Sequence, residues 1–123
     1  MVQTFPAPSD TLWMQRDIDN HAVIVRLHGE LDLLTAPAFA EQLRMAEALL
    51  TPPAPVVADL TGVTFLASAG LSVLAEYGQR YARLGSRLCV VATNRAVLRP
   101  ITVTGLDELL VVCRTQQEAL RNG

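Results

Sequence analysis

The sequence predicts one α/β domain, with a mostly parallel sheet of four to five strands, an N-terminal antiparallel hairpin and about four helices. Three observations predict this fold class. Two strand-like segments near the start are separated by a short turn, and helical and strand-like segments alternate after them. In addition, residues 55–60 are nearly all apolar, as in strands that helices cover on both faces. This alternation implies parallel strands joined by right-handed crossovers.

The chain is long enough for a single apolar core, since 50% of its 123 residues are hydrophobic. Residues 1–10 include Pro6, Pro8 and Ser9, so we expect a flexible N-terminal tail before a folded domain over residues 11–123.

The start of the chain lacks the basic and apolar segments of a secretion signal, and no apolar run reaches membrane-spanning length. We therefore expect a cytoplasmic protein without membrane insertion.

The predicted hairpin comprises residues 12–17 and 22–29. Val23, Val25 and Leu27 are apolar at every second position, as in a strand with one buried face. The hairpin therefore opens the sheet with an antiparallel pair.

Two long helices flank the central strand, residues 55–60. Thr35 can cap the first helix, which ends before Pro52. The second helix is expected to run to about Leu84, and Gly85 is well placed to end it.

The second half of the chain continues the alternation. Residues 87–91 and 109–113 are the remaining predicted strands. Between them Asn94 can cap a helix that contains Pro100. Because an interior proline removes a helical hydrogen bond, we expect a kink or a short segment over residues 96–99.

A final helix is predicted by a capping box. Thr115 and Glu118 are three residues apart, so each side chain can accept a hydrogen bond from the other's backbone amide. The core is expected on the inward faces of the α/β layers and includes Val25, Leu27, Val57, Leu74, Val90 and Leu110.

The charge pattern argues against a nucleic-acid partner. The formal net charge is -2, and acidic and basic residues are scattered along the chain. No basic face is available for a phosphate backbone, and no polybasic segment is available for a membrane surface.

Residue types of catalytic and metal sites occur without the spacing that such sites need. Cys89 and Cys113 each end an apolar run and are interpreted as buried free thiols. His21 and His28 have no acid, serine or cysteine at a motif spacing, and neither a phosphate-binding loop nor a dinucleotide fingerprint occurs. The sequence therefore predicts a protein that is not an enzyme and that uses no metal or cofactor.

Two segments carry a specific signal. Residues 29–32, Gly-Glu-Leu-Asp, close the second strand, and residues 59–71, Asp-Leu-Thr-Gly-Val-Thr-Phe-Leu-Ala-Ser-Ala-Gly-Leu, bridge the third strand and the second long helix. Together they resemble the STAS domain family, whose pattern is Asp-Leu, a turn, an aromatic and an aliphatic residue, and then Asp-Ser-Ser/Thr-Gly-Leu. The resemblance covers about residues 12–120 and implies a STAS-type single domain.

The resemblance implies phosphorylation at Ser68, which matches the serine that an anti-sigma factor kinase phosphorylates in the family. Ala67 and Ala69 depart from the pattern, because the family has aspartate and then serine or threonine at these places. A serine before a helix lies at the positive end of the helix dipole, which favours a hydroxyl cap or an added phosphate. Position alone favours an ordinary N-cap, and the surrounding motif favours the phosphorylation site.

Two acidic residues also match family positions. Asp32 matches the acid of the first loop, which in the family is implicated in kinase recognition or phosphorylation; a solvated turn acid is an equal alternative. Asp59 matches the acid that ends the central strand, where a structural role through hydrogen bonds to the loop is favoured.

The partner surface is expected around the start of the second long helix. Val73, Tyr77 and Leu84 fall away from its main apolar stripe, so we expect them to be partly exposed beside Ser68. The alternative is that they flank the core. The expected partner-binding residues are Asp32, Ala67, Ser68, Ala69, Gly70, Val73 and Tyr77.

The resemblance implies an anti-sigma factor antagonist. The unmodified chain would bind an anti-sigma factor of the GHKL serine kinase type and release a sigma factor, phosphorylation of Ser68 would block that binding, and a serine phosphatase would be a further partner. The alternative, favoured by Ala67 and Ala69, is a STAS scaffold without phosphorylation in a signalling assembly or an ABC-type lipid transport complex. Nucleotide sensing has no motif in the sequence.

Overall fold

From residue 12 onward, strands and helices follow one another along the chain in the predicted order. The structure, a computed structural model, describes residues 3–6 and 11–121. A 3-10 turn, Leu106–Glu108, precedes the last strand. The strands and α-helices in chain order are β1 (Gln3–Pro6), β2 (Leu12–Asp19), β3 (Ala22–Leu31), α1 (Ala36–Ala48), β4 (Val56–Leu66), α2 (Ser68–Arg83), β5 (Leu88–Val91), α3 (Arg95–Val103), β6 (Val111–Cys113) and α4 (Gln116–Arg121).

The strands form one sheet in the order β1-β2-β3-β4-β5-β6. The pairs β1 with β2 and β2 with β3 are antiparallel, and the pairs from β3 to β6 are parallel. The predicted fold class, an α/β domain with a mostly parallel sheet and an N-terminal antiparallel hairpin, is thereby confirmed.

The N-terminal segment differs from the tail expected over residues 1–10. Gln3–Pro6 form β1, which pairs with β2 in the register Gln3 to Arg16 through Pro6 to Trp13. Residues 1, 2 and 7–10 of the expected tail lie outside the described residues. The sheet therefore gains an antiparallel edge strand beyond the predicted hairpin.

The helices cover the two faces of the sheet unequally. On one face, α1, α2 and α3 close the main core, which includes Leu27, Leu74 and Ile101. On the other face, α4 packs over a smaller cluster that includes Val57 and Cys89. The predicted core residues are all buried, with exposed fractions of 5% or less, so the assignment of inward faces is confirmed.

Helix ends follow most of the predicted capping signals. The side chain of Asn94 accepts a hydrogen bond from the backbone of Val97 at 3.0 Å, and the Thr115 hydroxyl accepts from the backbone of Glu118 at 3.1 Å. α3 continues through Pro100 to Val103 and does not stop as the expected short segment. Among the described helices, none is both long and apolar enough to cross a membrane.

Candidate functional site

Ser68 is the first residue of α2, and Ala67 alone separates it from β4. The sequence predicted a longer loop here, but residues 61–66 belong to the strand because β4 stays paired with β3 as far as Leu66. Because β4 ends at Leu66 and α2 begins at Ser68, regular structure fixes the backbone on both sides of Ala67. Ser68 is therefore held on a rigid junction.

The N-cap interpretation of Ser68 is wrong. Ala67 is the N-cap residue, with the extended backbone angles φ -91° and ψ 172°, and no side chain caps α2. Within the described part of the chain, the Ser68 hydroxyl makes no hydrogen bond, whereas the Ser68 carbonyl oxygen accepts one from the Ser72 hydroxyl at 3.0 Å. Ser68 is exposed, so its hydroxyl points to solvent at the positive end of the helix.

Gly70 contributes to the site by close packing. It is buried, and a Cβ atom at this position would lie 2.8 Å from Leu31 Cγ and 2.8 Å from Leu66 Cδ1. The absence of a side chain thus lets the first turn of α2 approach the ends of β3 and β4. Ala67 and Ala69 on either side of Ser68 are half-buried.

Asp32 organises the turn between β3 and α1. Its Oδ1 accepts hydrogen bonds from the backbone N–H groups of Leu34 at 3.0 Å and Thr35 at 3.1 Å. The Thr35 hydroxyl, which does not cap α1, accepts from the backbone of Asp32 and donates to the carbonyl oxygen of Glu30, each at 2.9 Å. Of the two interpretations of Asp32, the structure displays the turn role; its part in partner recognition stays a prediction.

The turn with Asp32 and the start of α2 lie side by side. The backbone N–H of Ala67 donates to the carbonyl oxygen of Leu31 at 2.9 Å, and Leu31 pairs with Leu66 in the sheet register. Asp32 follows Leu31 directly, and Ser68 follows Ala67 directly. The two sequence segments that carried the specific signal therefore meet at the carboxyl edge of the parallel strands.

The expected exposure of Val73 and Tyr77 is wrong. Their exposed fractions are only 9% and 6%, and the ring of Tyr77 lies 5.7 Å from that of Tyr81 in the core beneath α2. Burial raises the pKa of both tyrosines, and the Tyr81 hydroxyl donates to the carbonyl oxygen of Leu43 at 2.6 Å. Leu84 is exposed, but it lies at the far end of α2 from Ser68.

Sequence reasoning missed three exposed apolar residues beside Ser68. Leu33 is 77% exposed and Leu34 is 74% exposed in the turn after β3, and Phe65 is 50% exposed near the end of β4. We call these three residues the apolar edge. The signal that could have found Leu33 and Leu34 is the Leu-Leu pair in a tight turn between Asp32 and Thr35, where a core position is unavailable, whereas no such signal marks Phe65.

Asp59 has the structural role that was favoured for it. Its Oδ1 accepts from the backbone N–H of Thr61 at 3.0 Å and from the Thr61 hydroxyl at 2.7 Å. Its Oδ2 accepts from Nε2 of Gln116 in α4 at 2.8 Å. Asp59 is 9% exposed, so its carboxylate serves the fold and not a partner.

The remaining chemistry-bearing residues lie away from Ser68. Cys89 and Cys113 are buried and form no disulfide among the described residues, as expected, and burial raises the pKa of Cys89 to about 11. A cleft of about 410 Å³ lies between the hairpin turn and the proline-rich loop, lined by His21 and Pro52 among others, and it contains no predicted site residue. Over residues 3–6 and 11–121, no group of three or more His, Cys, Asp or Glu side chains is placed to hold a metal ion.

The sequence matches a known domain family and several named proteins. Residues 14–119 match the family model of the STAS domain. The chain is 32% identical over 109 residues to Anti-sigma-F factor antagonist RsfA of Mycobacterium tuberculosis, covering 87% of this chain and 85% of the relative. It is 34% identical over 101 residues to Anti-sigma-F factor antagonist RsfB of the same organism, covering 82% of this chain and 80% of the relative.

The fold also matches a solved structure. The crystal structure of an anti-sigma factor antagonist from Mycobacterium paratuberculosis superposes with a TM-score of 0.83 at 32% identity. The superposition covers 95% of this chain and 97% of the other. The similarity thus spans nearly the whole chain, from the sheet to the last helix.

Proposed function

The chain belongs to the STAS domain family, and we propose that it is an anti-sigma factor antagonist controlled by phosphorylation at Ser68. In this proposal the unmodified chain binds an anti-sigma factor of the GHKL serine kinase type, which then releases its sigma factor. It acts by binding and not by catalysis, in the cytoplasm where transcription takes place. The names of the relatives RsfA and RsfB support the antagonist role.

The observation that carries the proposal is the geometry of Ser68. Its hydroxyl is exposed, makes no hydrogen bond to the described residues and is the first side chain of α2. Because no internal contact has to break, a kinase can reach this oxygen without unfolding the helix. A phosphate placed there lies at the positive end of the helix dipole, which favours its charge.

The phosphorylation step needs ATP from the kinase and nothing from this chain except the hydroxyl of Ser68. The bond from the γ-phosphorus to the bridging oxygen of ATP breaks as the bond from phosphorus to Ser68 Oγ forms. ADP leaves, and the hydroxyl proton passes to a base of the kinase. A serine phosphatase reverses the change by hydrolysis of the phosphoester.

The physical effect of the phosphate is electrostatic. It adds about -1.5 to -2 charges at pH 7. Asp32 already places a carboxylate in the neighbouring turn, and the apolar edge supplies no cation to pair with a phosphate. A partner that covers Ser68 would therefore have to desolvate an unpaired dianion, which costs more than the contact gains.

A second candidate function is favoured by Ala67 and Ala69. These residues replace the aspartate and the serine or threonine that flank the phosphorylated serine in the family pattern. A scaffold that binds a partner without phosphorylation, in a signalling assembly or an ABC-type lipid transport complex, would keep the fold and lose the switch.

Competition with the sigma factor tests the proposal. The purified chain is added to a preformed complex of sigma factor and anti-sigma factor from the organism of origin, with ATP or with a non-hydrolysable analogue. We expect release of the sigma factor with the analogue, and phosphate on Ser68 with weaker release after incubation with ATP. A chain that releases no sigma factor under either condition would contradict the antagonist role. Release without phosphate on Ser68 would favour the scaffold-like, unregulated alternative.

A further inference from the structure

We infer that the apolar edge, Leu33, Leu34 and Phe65, is the anchor that holds the anti-sigma factor, whereas Ser68 determines whether that contact can form. The inference rests on the proposed function. It assigns the affinity of the chain for the anti-sigma factor to these three residues. They differ from the residues that the sequence suggested, because Val73 and Tyr77 are buried in the core.

The position of the three residues sets them apart from other exposed hydrophobic side chains. Leu33 and Leu34 follow the end of β3, and Phe65 pairs with Glu30 on the neighbouring strand β4. They therefore occupy two adjacent segments at one edge. Among the described residues, the other large exposed hydrophobics are dispersed: Trp13 and Ile18 lie on β2, Leu49 and Leu84 directly follow α1 and α2, and Val103 ends α3. Isolated exposed hydrophobics are common, whereas a cluster marks an interaction surface.

The backbone that carries the apolar edge is already fixed. The N–H groups of Leu34 and Thr35 are both bonded to Asp32 Oδ1, and Thr35 is completely buried. Phe65 belongs to a paired strand. A partner that binds these side chains does not have to order the chain beneath them, so less free energy is lost on association.

The position of the edge also identifies its occupant. Phe65 precedes Ser68 by three residues, and the turn with Leu33 and Leu34 follows Leu31, whose carbonyl oxygen binds the N–H of Ala67. A protein surface that covers both segments would also lie against the start of α2, where Ser68 is exposed. The same apolar contact excludes water there, so a phosphate on Ser68 could not keep its hydration. The occupant is therefore the partner that the phosphate repels, through an apolar groove on the anti-sigma factor.

Alanine variants with matched controls test the inference. Leu33→Ala, Leu34→Ala and Phe65→Ala are compared with Val103→Ala and Ile18→Ala, whose parent side chains are 75% and 49% exposed and lie elsewhere. The probes are the serine-kinase-type anti-sigma factors encoded by the organism of origin, purified singly. Affinity is measured by calorimetry, and thermal unfolding of each variant shows that it is folded. If one substitution destabilises the chain, Leu→Gln at the same position replaces it.

We expect at least one anti-sigma factor to bind the parent chain and each edge variant to bind it about tenfold or more weakly, with both controls within about twofold. If an anti-sigma factor binds the parent and the edge variants equally, the anchor is wrong although the proposed function stands. If no anti-sigma factor binds the parent chain, the proposed function fails and the anchor fails with it.

Discussion

Gln116, in the first turn of α4, donates a 2.8 Å hydrogen bond from Nε2 to Oδ2 of Asp59 on the central strand β4. The Oε1 of the same amide accepts from Nη2 of Arg26 on β3 at 3.1 Å. One side chain thus ties the last helix to two strands of the sheet. The contact holds α4 against the sheet.

The variant Gln116→Ala should lower the free energy of unfolding by about 1 to 3 kcal/mol, because it leaves the nearly buried Asp59 oxygen without this donor. Gln117→Ala is the matched control, since Gln117 is exposed and the change should stay within about 0.5 kcal/mol. Urea unfolding at pH 7 measures both. Equal stability of the two variants would show that the contact contributes nothing.

The substitution Leu74→Ala should lower the free energy of unfolding by about 2 to 5 kcal/mol, because Leu74 is completely buried beneath α2 and a cavity would remain. Leu33→Ala removes the same atoms from a side chain that is 77% exposed, and should change stability by less than about 0.5 kcal/mol. Chemical denaturation of both variants is the measurement. Similar midpoints would mean that the inward face of α2 is misassigned.

The ion pair between α1 and α2 should make stability depend on pH. Nε and Nη2 of Arg80 donate to the two carboxylate oxygens of Glu47 at 2.6 and 2.9 Å, and these hydrogen bonds lower the pKa of Glu47. A carboxyl group whose pKa is lower in the folded chain adds stability above its unfolded pKa of about 4.3, and that stability is lost as pH falls through the folded pKa.

The variant Glu47→Gln should therefore unfold at a lower urea concentration than the parent at pH 7, and the difference should shrink as the pH falls below about 4.3 and through the lower pKa that Glu47 has in the folded chain. Because Arg80 is half exposed, the difference at pH 7 will be small. Glu41→Gln, which breaks a more exposed pair with Arg44 inside α1, should show the same direction of pH dependence with a smaller difference. A difference that stays constant with pH would exclude the ion pair as its cause.

The fold could be predicted because its signals are local. Alternating apolar positions predicted β3, and the apolar run at residues 55–60 predicted the buried part of β4. Asn94 was predicted to cap α3, and it is the N-cap residue of that helix. Two features depended on tertiary pairing and were missed. β1 exists through its pairing with β2, and the last residues of β4 are strand because β3 continues beside them.

The sequence was enough to locate the site but not to predict which side chains around it are exposed. The motif identified Ser68 and Asp32, and the structure brings their segments together. Helical periodicity misplaced Val73 and Tyr77, because α2 packs against α1 as well as the sheet and so buries a wider face than one stripe. Leu33, Leu34 and Phe65 have no periodicity that marks exposure. The Leu-Leu pair between Asp32 and Thr35 was a local signal for two of them, and the exposure of Phe65 is visible only in the structure.

The variant Ala67→Asp should both stabilise α2 and raise the rate of Ser68 phosphorylation. Ala67 is the N-cap and caps nothing, so a carboxylate there can accept a backbone hydrogen bond and add about 0.5 to 2 kcal/mol. It also restores the family's aspartate beside the acceptor hydroxyl. Ala67→Asn is the control, because it caps without the charge. If both variants are phosphorylated at the parent rate by the cognate kinase, Ala67 is not the limiting departure from the motif.

The affinity of the anti-sigma factor for three forms of the chain tests the switch at Ser68 most directly. The forms are the unmodified chain, the enzymatically phosphorylated chain and Ser68→Ala, measured by calorimetry against the same partner. Ser68→Ala should bind like the unmodified chain and keep its stability, because Ser68 neither caps α2 nor makes a side-chain hydrogen bond within the described residues. The phosphorylated chain should bind at least about tenfold more weakly, which corresponds to about 1.4 kcal/mol. Equal affinity of all three forms, or equal labelling of Ser68→Ala by the kinase, would contradict control at Ser68.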